Sequence, residues 1–511
     1  MATILIDDVS PNQHGAVTTS VSHFLDQLEE ILKPRHLTRR LSPSMLEWSE
    51  QHLQDWTQRH GGDIDIYLGN NLRVIEKLRA HDWPGKIIYN AMGDLPRGAS
   101  GLRQIIRCLY RTDRIWCSSH ADRMIAEQLI QSDGEQPEIT VIPYGIDTGF
   151  FTAMDPQDRR TIRTKLGFQE GDIVLGYVGR ISLEKNVHSL FELLSYLHVD
   201  ERFKLLIVGE VDLVPFKEFN IWPSKLEKTI QALLATNQNR VVHLNWASRD
   251  QVRELYNALD ILLNLTLHHD ENFGYAQIEA MSCGVPIVGT AWGGLKDSIT
   301  ASTGVPIDTW VTDFGIRYHF PKALAAVTGL AAKEADRREL GRQAAQTARA
   351  SYSIAAYQKN VQHMIEEMLK QTTQKSTASL TEFGRRYDER FSKRDASGKR
   401  LSLFPRYEGL SDPDYRKWIS PYASMSLTDP SLVLNPSYFL ALPGKISGSY
   451  FHSTDLLWNY RVPLLEEERA FLNRLKRNAV IPAAIPADEG SPCRDCVDSL
   501  IRKGLLGISE S

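Results

Sequence analysis

Four side chains carry the chemistry that this sequence offers: Arg180, Lys185, Glu271 and Glu279. The two carboxylates lie eight positions apart in ENFGYAQIEAMSCGVPIVG, residues 271–289. Between them an Asn272–Phe273–Gly274 turn precedes a helical pattern, and a buried-looking run from Val285 to Val288 reads as a strand. Gly274 tolerates unusual dihedrals, so a helix can begin directly after a tight loop. The first amides of such a helix lack partners and carry partial positive charge, which suits a phosphate. Glu279 would then lie about 7 Å further along the axis, at ~1.5 Å rise per residue. One carboxylate can take the hydroxyls of a sugar and the other those of a ribose. That spacing suits an elongated nucleotide-sugar better than a small substrate.

The two cations belong to a different stretch. IVLGYVGR, residues 173–180, reads as a buried strand that ends in Gly179–Arg180, and Lys185 follows in the loop before the next helical pattern. A departing nucleoside diphosphate gains negative charge, and fixed cations lower the barrier by stabilising it. No nucleophile–base motif accompanies these residues.

These loops need elements to hold them. The chain has 511 residues, enough for two or three domains, with 42% hydrophobic and 24% charged residues, as in a soluble globular protein. A net charge of −4 leaves no basic field for nucleic acid. No apolar run is long enough to span a membrane, and the first residues lack the layout of a signal peptide. Five sparse cysteines favour a reducing, cytoplasmic setting. Strands are expected at Thr3–Ile6, Asp65–Leu68, Lys86–Tyr89, Arg114–Cys117, Ile139–Ile142, Lys204–Val208 and Val241–Leu244, with helical patterns between them. Strand alternating with helix implies a parallel α/β sheet, whose ligands sit beyond the strand carboxyl ends. Ser248–Arg249–Asp250–Gln251 fits a capping box opening a helix to Leu259.

The joint pattern of both Glu residues, the Phe273–Gly274 turn, Glu279–Ala280–Met281 and Cys283–Gly284–Val285–Pro286 resembles the E-x7-E signature of retaining GT-B glycosyltransferases, family 4 in particular. VIPYGID, residues 141–147, and the Gly293–Gly294 loop are similar to further segments of that family. The match covers about residues 1–370 and is densest over 173–300. It implies an α/β GT-B fold, two Rossmann-like domains facing a cleft, followed by a C-terminal extension. The expected divisions are 1–145, an N-terminal domain on the acceptor side, and 146–370, a nucleotide-sugar-binding domain with a crossover helix over 354–370. Residues 371–511 form a linker and accessory region. The resemblance implies sugar transfer with retention, using a nucleoside-diphosphate sugar as co-substrate and neither cofactor nor metal. Glu271 would hold sugar hydroxyls and Glu279 the ribose, Arg180 and Lys185 the diphosphate, with the Asn272–Phe273–Gly274 turn capping it. Gly15, in the first loop, would keep close backbone approach to the diphosphate. The acceptor is an unidentified small molecule, glycan, lipid or peptide.

Two departures from the family pattern stand out. His14–Gly15 replaces a Gly–Gly, and Met92 precedes Gly93 where many relatives carry a His that contacts the donor sugar. The second departure motivates an alternative, a catalytically silent scaffold that binds nucleotide or a partner. Trp246 has two readings, stacking on a base or packing between strand and helix. His268, His269 and Asp270 make a poor metal set, because adjacent His side chains point apart and no third ligand is well spaced. Arg103, Arg107, Arg111 and Arg114 oppose an apolar stripe. An ordinary surface helix packed on the sheet is favoured there over membrane contact. Beyond 371 a polar linker, a basic stretch over 385–400 and a segment rich in Tyr, Pro and Ser precede two short helical patterns that vaguely suggest a winged-helix-like unit. Cys493 and Cys496 read as two free thiols.

Overall fold

Two runs of alternating strand and helix build two parallel sheets. The computed structural model describes residues 1–511 apart from 8–25, 42–48, 81, 94, 97–98, 131–135, 183, 213–222, 268–270, 314, 375–377, 392–412, 426–435, 454–460, 476, 478–480, 483–493 and 511. The chain divides into two compact units, Met1–Thr148 with Arg349–Leu401, and Gly149–Ala348 with Ser402–Ser511.

In the first unit β1 (Thr3–Ile6), β2 (Leu37–Arg40), β3 (Ile66–Gly69), β4 (Lys86–Asn90), β5 (Arg114–Cys117) and β6 (Glu138–Val141) lie in the order β2-β1-β3-β4-β5-β6. Every pairing in that sheet is parallel. Parallel sheets are covered on both faces, which is why β3, β4 and β5 are buried along their whole length. The helix Ile354–Lys370 belongs to this unit: Tyr357 packs 6.0 Å from Trp116, and the Gln362 side chain donates to the Ile31 carbonyl. Residues 378–391 also join it, since Ala378 N donates to Leu109 O and Thr381 N to Leu129 O.

The arginine stripe is not one helix. Ser100–Ile105 is α-helical, Ile106–Cys108 is a 3-10 turn, and Arg114 begins β5. Arg114 is buried and pairs with Glu138 at 3.0 Å, which removes it from any basic face. No helix among the described residues is long and apolar enough to cross a membrane.

The second unit contains β7 (Ile173–Val178), β8 (Phe203–Val208), β9 (Val241–Leu244), β10 (Ile261–Asn264), β11 (Ile287–Thr290) and β12 (Gly304–Ile307), in the order β12-β11-β10-β7-β8-β9. All its pairings are parallel. The order reverses between β7 and β10, and at such a switch point the loops leaving the strand carboxyl ends diverge and leave a crevice. The sheet is pinned by Asp260. Its carboxylate pairs with Arg159 at 2.9 Å, Arg163 at 3.0 Å and Arg337 at 3.5 Å, and it accepts from Val174 N.

The rest of the second unit carries small antiparallel pieces. A hairpin of β13 (Thr309–Thr312) and β14 (Gly315–Tyr318) leads away from the sheet. Beyond it β15 (Pro436–Leu440) pairs with β19 (Ile481–Pro482) and β20 (Leu506–Glu510), while β16 (Gly444–Ser447), β17 (Tyr450–Ser453) and β18 (Arg461–Pro463) form a second sheet. Phe439 and Ala441 form a core with Trp310, and Phe439 stacks on His319 at 4.3 Å. Buried Arg477 bonds Glu192 at 3.1 Å. Helices Glu466–Leu472 and Arg494–Arg502 are present, but they accompany these sheets rather than a winged helix. Cys496 is buried, and Cys493 lies outside the described residues.

Candidate functional site

The loop after β7 and the loop after β10 are sewn together at the switch point. The Glu184 carbonyl accepts from both Leu267 N and Thr266 Oγ1, each at 3.1 Å. Asn186, in the left-handed region at φ 55°, donates its side-chain amide to Leu265 O at 3.0 Å. Thr290 of β11 closes the far side by donating to Thr266 O at 2.6 Å. Backbone carbonyls and amides so fully bonded leave little freedom to the residues between them.

Lys185 and Glu271, which stand in these two loops, meet as an ion pair. Both are mostly buried, with side-chain exposures of 22% and 9%. Arg180 pairs with Asp212 of the loop after β8, and its other terminal nitrogen lies 3.7 Å from Glu184. Burial pulls the Arg180 pKa down, but Glu184 and Asp212 more than offset this and hold it above the ordinary value. Burial pushes the Glu184 carboxyl up, against Arg180 and Lys185. Tyr177 donates to the Arg180 carbonyl at 2.7 Å and so fixes the start of the cation loop.

Gly274 stands at φ 84° and caps the helix Tyr275–Ser282, as the turn requires. Phe273 is buried and packs edge-on against Tyr275 at 4.9 Å. The base of the helix is tied to β10, because Asn264 donates to Gln277 Oε1 at 3.1 Å. The turn itself is backed by the Gly293–Gly294 loop, whose Gly294 N donates to Glu271 O at 2.8 Å.

Glu279 accepts from the Tyr256 hydroxyl at 2.8 Å. Part of its side chain reaches the surface, yet dense surroundings push its carboxyl up to about 7, against the Tyr256 hydrogen bond and the Arg249 charge. A raised carboxyl pKa means that the folded chain holds a proton which the unfolded chain releases near 4.5. Stability is therefore lost as pH rises from 4.5 to about 7. The Glu279→Gln variant keeps an acceptor for Tyr256 and removes this titration. Its melting temperature should match wild type below pH 4.5 and exceed it by a few degrees above pH 7. A constant difference across that range would show that Glu279 does not titrate there.

Trp246, after β9, is 75% exposed, so it does not pack between strand and helix. The capping box at Ser248 is present with both of its hydrogen bonds. Cys283 is buried, its thiol pushed up to about 12 by burial. Gly15, His14, His268, His269 and Asp270 lie outside the described residues. Asp212, Tyr256 and Tyr177 carry no motif of their own. Tyr256 sits on the helix opened by the capping box, and only its side-chain direction brings it to Glu279.

Residues 158–310 match the family model described as glycosyl transferases group 1. Over this stretch the chain is similar to the group 1 glycosyl transferases. Its Lys185–Glu271 pair and its Gly274-capped helix both fall inside the matched stretch. Among curated relatives, the D-inositol 3-phosphate glycosyltransferase of Segniliparus rotundus is 26% identical over 232 residues, 45% of this chain and 48% of that protein. The enzyme of the same name from Geodermatophilus obscurus is 31% identical over 196 residues, 35% of this chain and 40% of its own length. The chain thus spans about half, or less, of the length of these two relatives. Among solved structures, Anabaena HepE in complex with UDP superposes with a TM-score of 0.55 at 16% identity, covering 72% of this chain and all of that one. A glycosyltransferase from Rickettsia africae gives the same TM-score and identity, over 72% of this chain and 99% of that one. The two six-stranded Rossmann-like sheets are of the GT-B type.

Proposed function

We propose that the chain is a retaining glycosyltransferase that takes a hexose from a nucleoside-diphosphate sugar. The observation that carries this is the meeting of Lys185 and Glu271 from two loops at the sheet crossover. Lys185 and Arg180 would engage the diphosphate, exchanging their acidic partners for phosphate oxygens. The amides of Phe273 and Gly274, at the helix start, would cap it. Glu271 would take the sugar hydroxyls, Glu279 the ribose hydroxyls, and exposed Trp246 would stack on the base. In the transfer, the bond between the anomeric carbon and the phosphate oxygen breaks. The acceptor oxygen bonds that carbon on the same face, and its proton passes to the leaving phosphate oxygen. That route needs no protein nucleophile. A setting in the cytoplasm fits the sparse cysteines.

HepE is described in complex with UDP and with UDP-glucose, which makes a uridine donor the first to test. A panel of UDP-, GDP-, ADP- and dTDP-sugars should contain one that both raises the melting temperature and releases its nucleoside diphosphate. Tight binding without turnover, over all donors and with mixed acceptors, would favour the silent scaffold that Met92 motivates. Absence of any nucleotide binding would end both readings.

A further inference from the structure

We infer that Tyr422, far along the chain in the accessory region, is a positioning residue for Glu271. This rests on the reading that Glu271 holds the donor sugar. Tyr422 is wholly buried, in a 3-10 turn Ser420–Tyr422. Its carbonyl accepts from Gly293 N at 2.8 Å, and its ring lies edge-on to Trp292 at 5.7 Å. The ring also fills the side of Gly293 where a Cβ would stand, and that Cβ would be 2.8 Å from two ring carbons. The next residue, Gly294, donates its amide to the Glu271 carbonyl. Tyr422 and the backbone of Glu271 are thus separated by two glycines and joined by two hydrogen bonds.

The turn that bears Tyr422 is clamped from the other side. Lys296, two residues beyond Gly294, donates its ammonium to Pro421 O at 2.6 Å and Ala423 O at 3.0 Å. An ammonium that is largely desolvated against two neutral carbonyls is costly to bury. The accessory region does not need this contact to stay attached, because Phe439 on Trp310 and Arg477 on Glu192 hold it elsewhere. The contact at Gly293 instead sets the height of the Glu271 turn. A displacement of about 1 Å at a substrate-holding group costs on the order of 10²-fold in rate.

The test uses the full chain and four variants, Tyr422→Ala, Tyr422→Phe, Lys296→Met and Phe439→Leu. Turnover of the sugar-nucleotide, the Kd of the free nucleoside diphosphate and the melting temperature are measured for each. Tyr422→Ala and Lys296→Met should lose about tenfold or more in kcat/KM. Their Kd for the diphosphate alone should rise by much less than kcat/KM falls, because Lys185 and Arg180 still engage the diphosphate while Glu271 meets the sugar. Tyr422→Phe should restore turnover. Phe439→Leu should lower the melting temperature and leave kcat/KM unchanged. Unchanged kcat/KM in Tyr422→Ala and Lys296→Met overturns the inference. So does a loss that merely follows melting temperature, with Phe439→Leu on the same line. Full turnover in a Lys185→Ala chain would remove the underlying reading of the site, whatever Tyr422 does.

Discussion

Replacing Lys185 by Ala is expected to lower kcat for sugar transfer by about 10²- to 10³-fold, the range seen when one preorganised charge-stabilising group is lost. Two effects combine. In the proposed transfer the departing diphosphate loses a fixed cation, and Glu271, 9% exposed, loses the partner it holds in the folded chain. An unpaired buried carboxylate disfavours the folded arrangement of its loop. Glu271→Gln keeps the shape of that side chain and removes its charge. Because the two residues act as one pair, the double variant should lose much less than the product of the single losses. The measurement is donor-saturated initial rate for the wild type, both single variants and the double. A Lys185→Ala rate within about threefold of wild type would mean that this cation takes no part in the chemistry.

Gly294→Ala should be nearly as damaging, for a steric reason. A Cβ at this position would stand 1.9 Å from the Asn272 carbonyl oxygen, 2.3 Å from its carbon and 2.8 Å from Phe273 N. All three are backbone atoms, so no side-chain rotation relieves the clash. The Asn272–Phe273–Gly274 turn must move, and with it the Glu271 carboxylate and the helix amides. We expect kcat/KM to fall by about 10²-fold. Gly329→Ala is the matched control. It lies within the helix Phe320–Ala332 with nothing within 4 Å of an added Cβ, and should stabilise by about 1 kcal/mol without changing turnover. If Gly294→Ala were as silent as the control, the turn would not be what positions the donor.

Much of this architecture was legible residue by residue. β1 and β5 occupy the runs expected from their hydrophobic pattern, β3, β4 and β6 shift or extend by about one residue, and β11 begins two residues later. The Ser248 capping box and the turn at Gly274 were readable because each depends on a few neighbours in sequence. The arginine stripe misled, since four cations at helical spacing say nothing of Arg114 being drawn into a strand and paired with Glu138. Trp246 has no single reading from its neighbours in sequence, because exposure after a strand depends on what packs above it, and its 75% exposure decides against packing between strand and helix. The tail was unreadable for another reason. Short antiparallel strands such as β17 and β18 bury only alternate residues, and the partner of Phe439 in β15, Trp310, stands far away in the chain.

The amino-acid order alone determined the parallel α/β class, the acidic turn with its helix start, and the cation loop that follows a buried strand. Each of these is local: periodicity, a glycine and a charged residue at fixed offsets are enough to write them. Only the tertiary structure decided that β7 and β10 are neighbours where the strand order reverses, which is what brings Lys185 onto Glu271 across 86 positions. It alone decided that Tyr256 meets Glu279 and that Tyr422 lies against Gly293. Such pairings depend on which surfaces are left unburied once the sheet has closed, and that is a property of the whole packed unit rather than of any stretch within it.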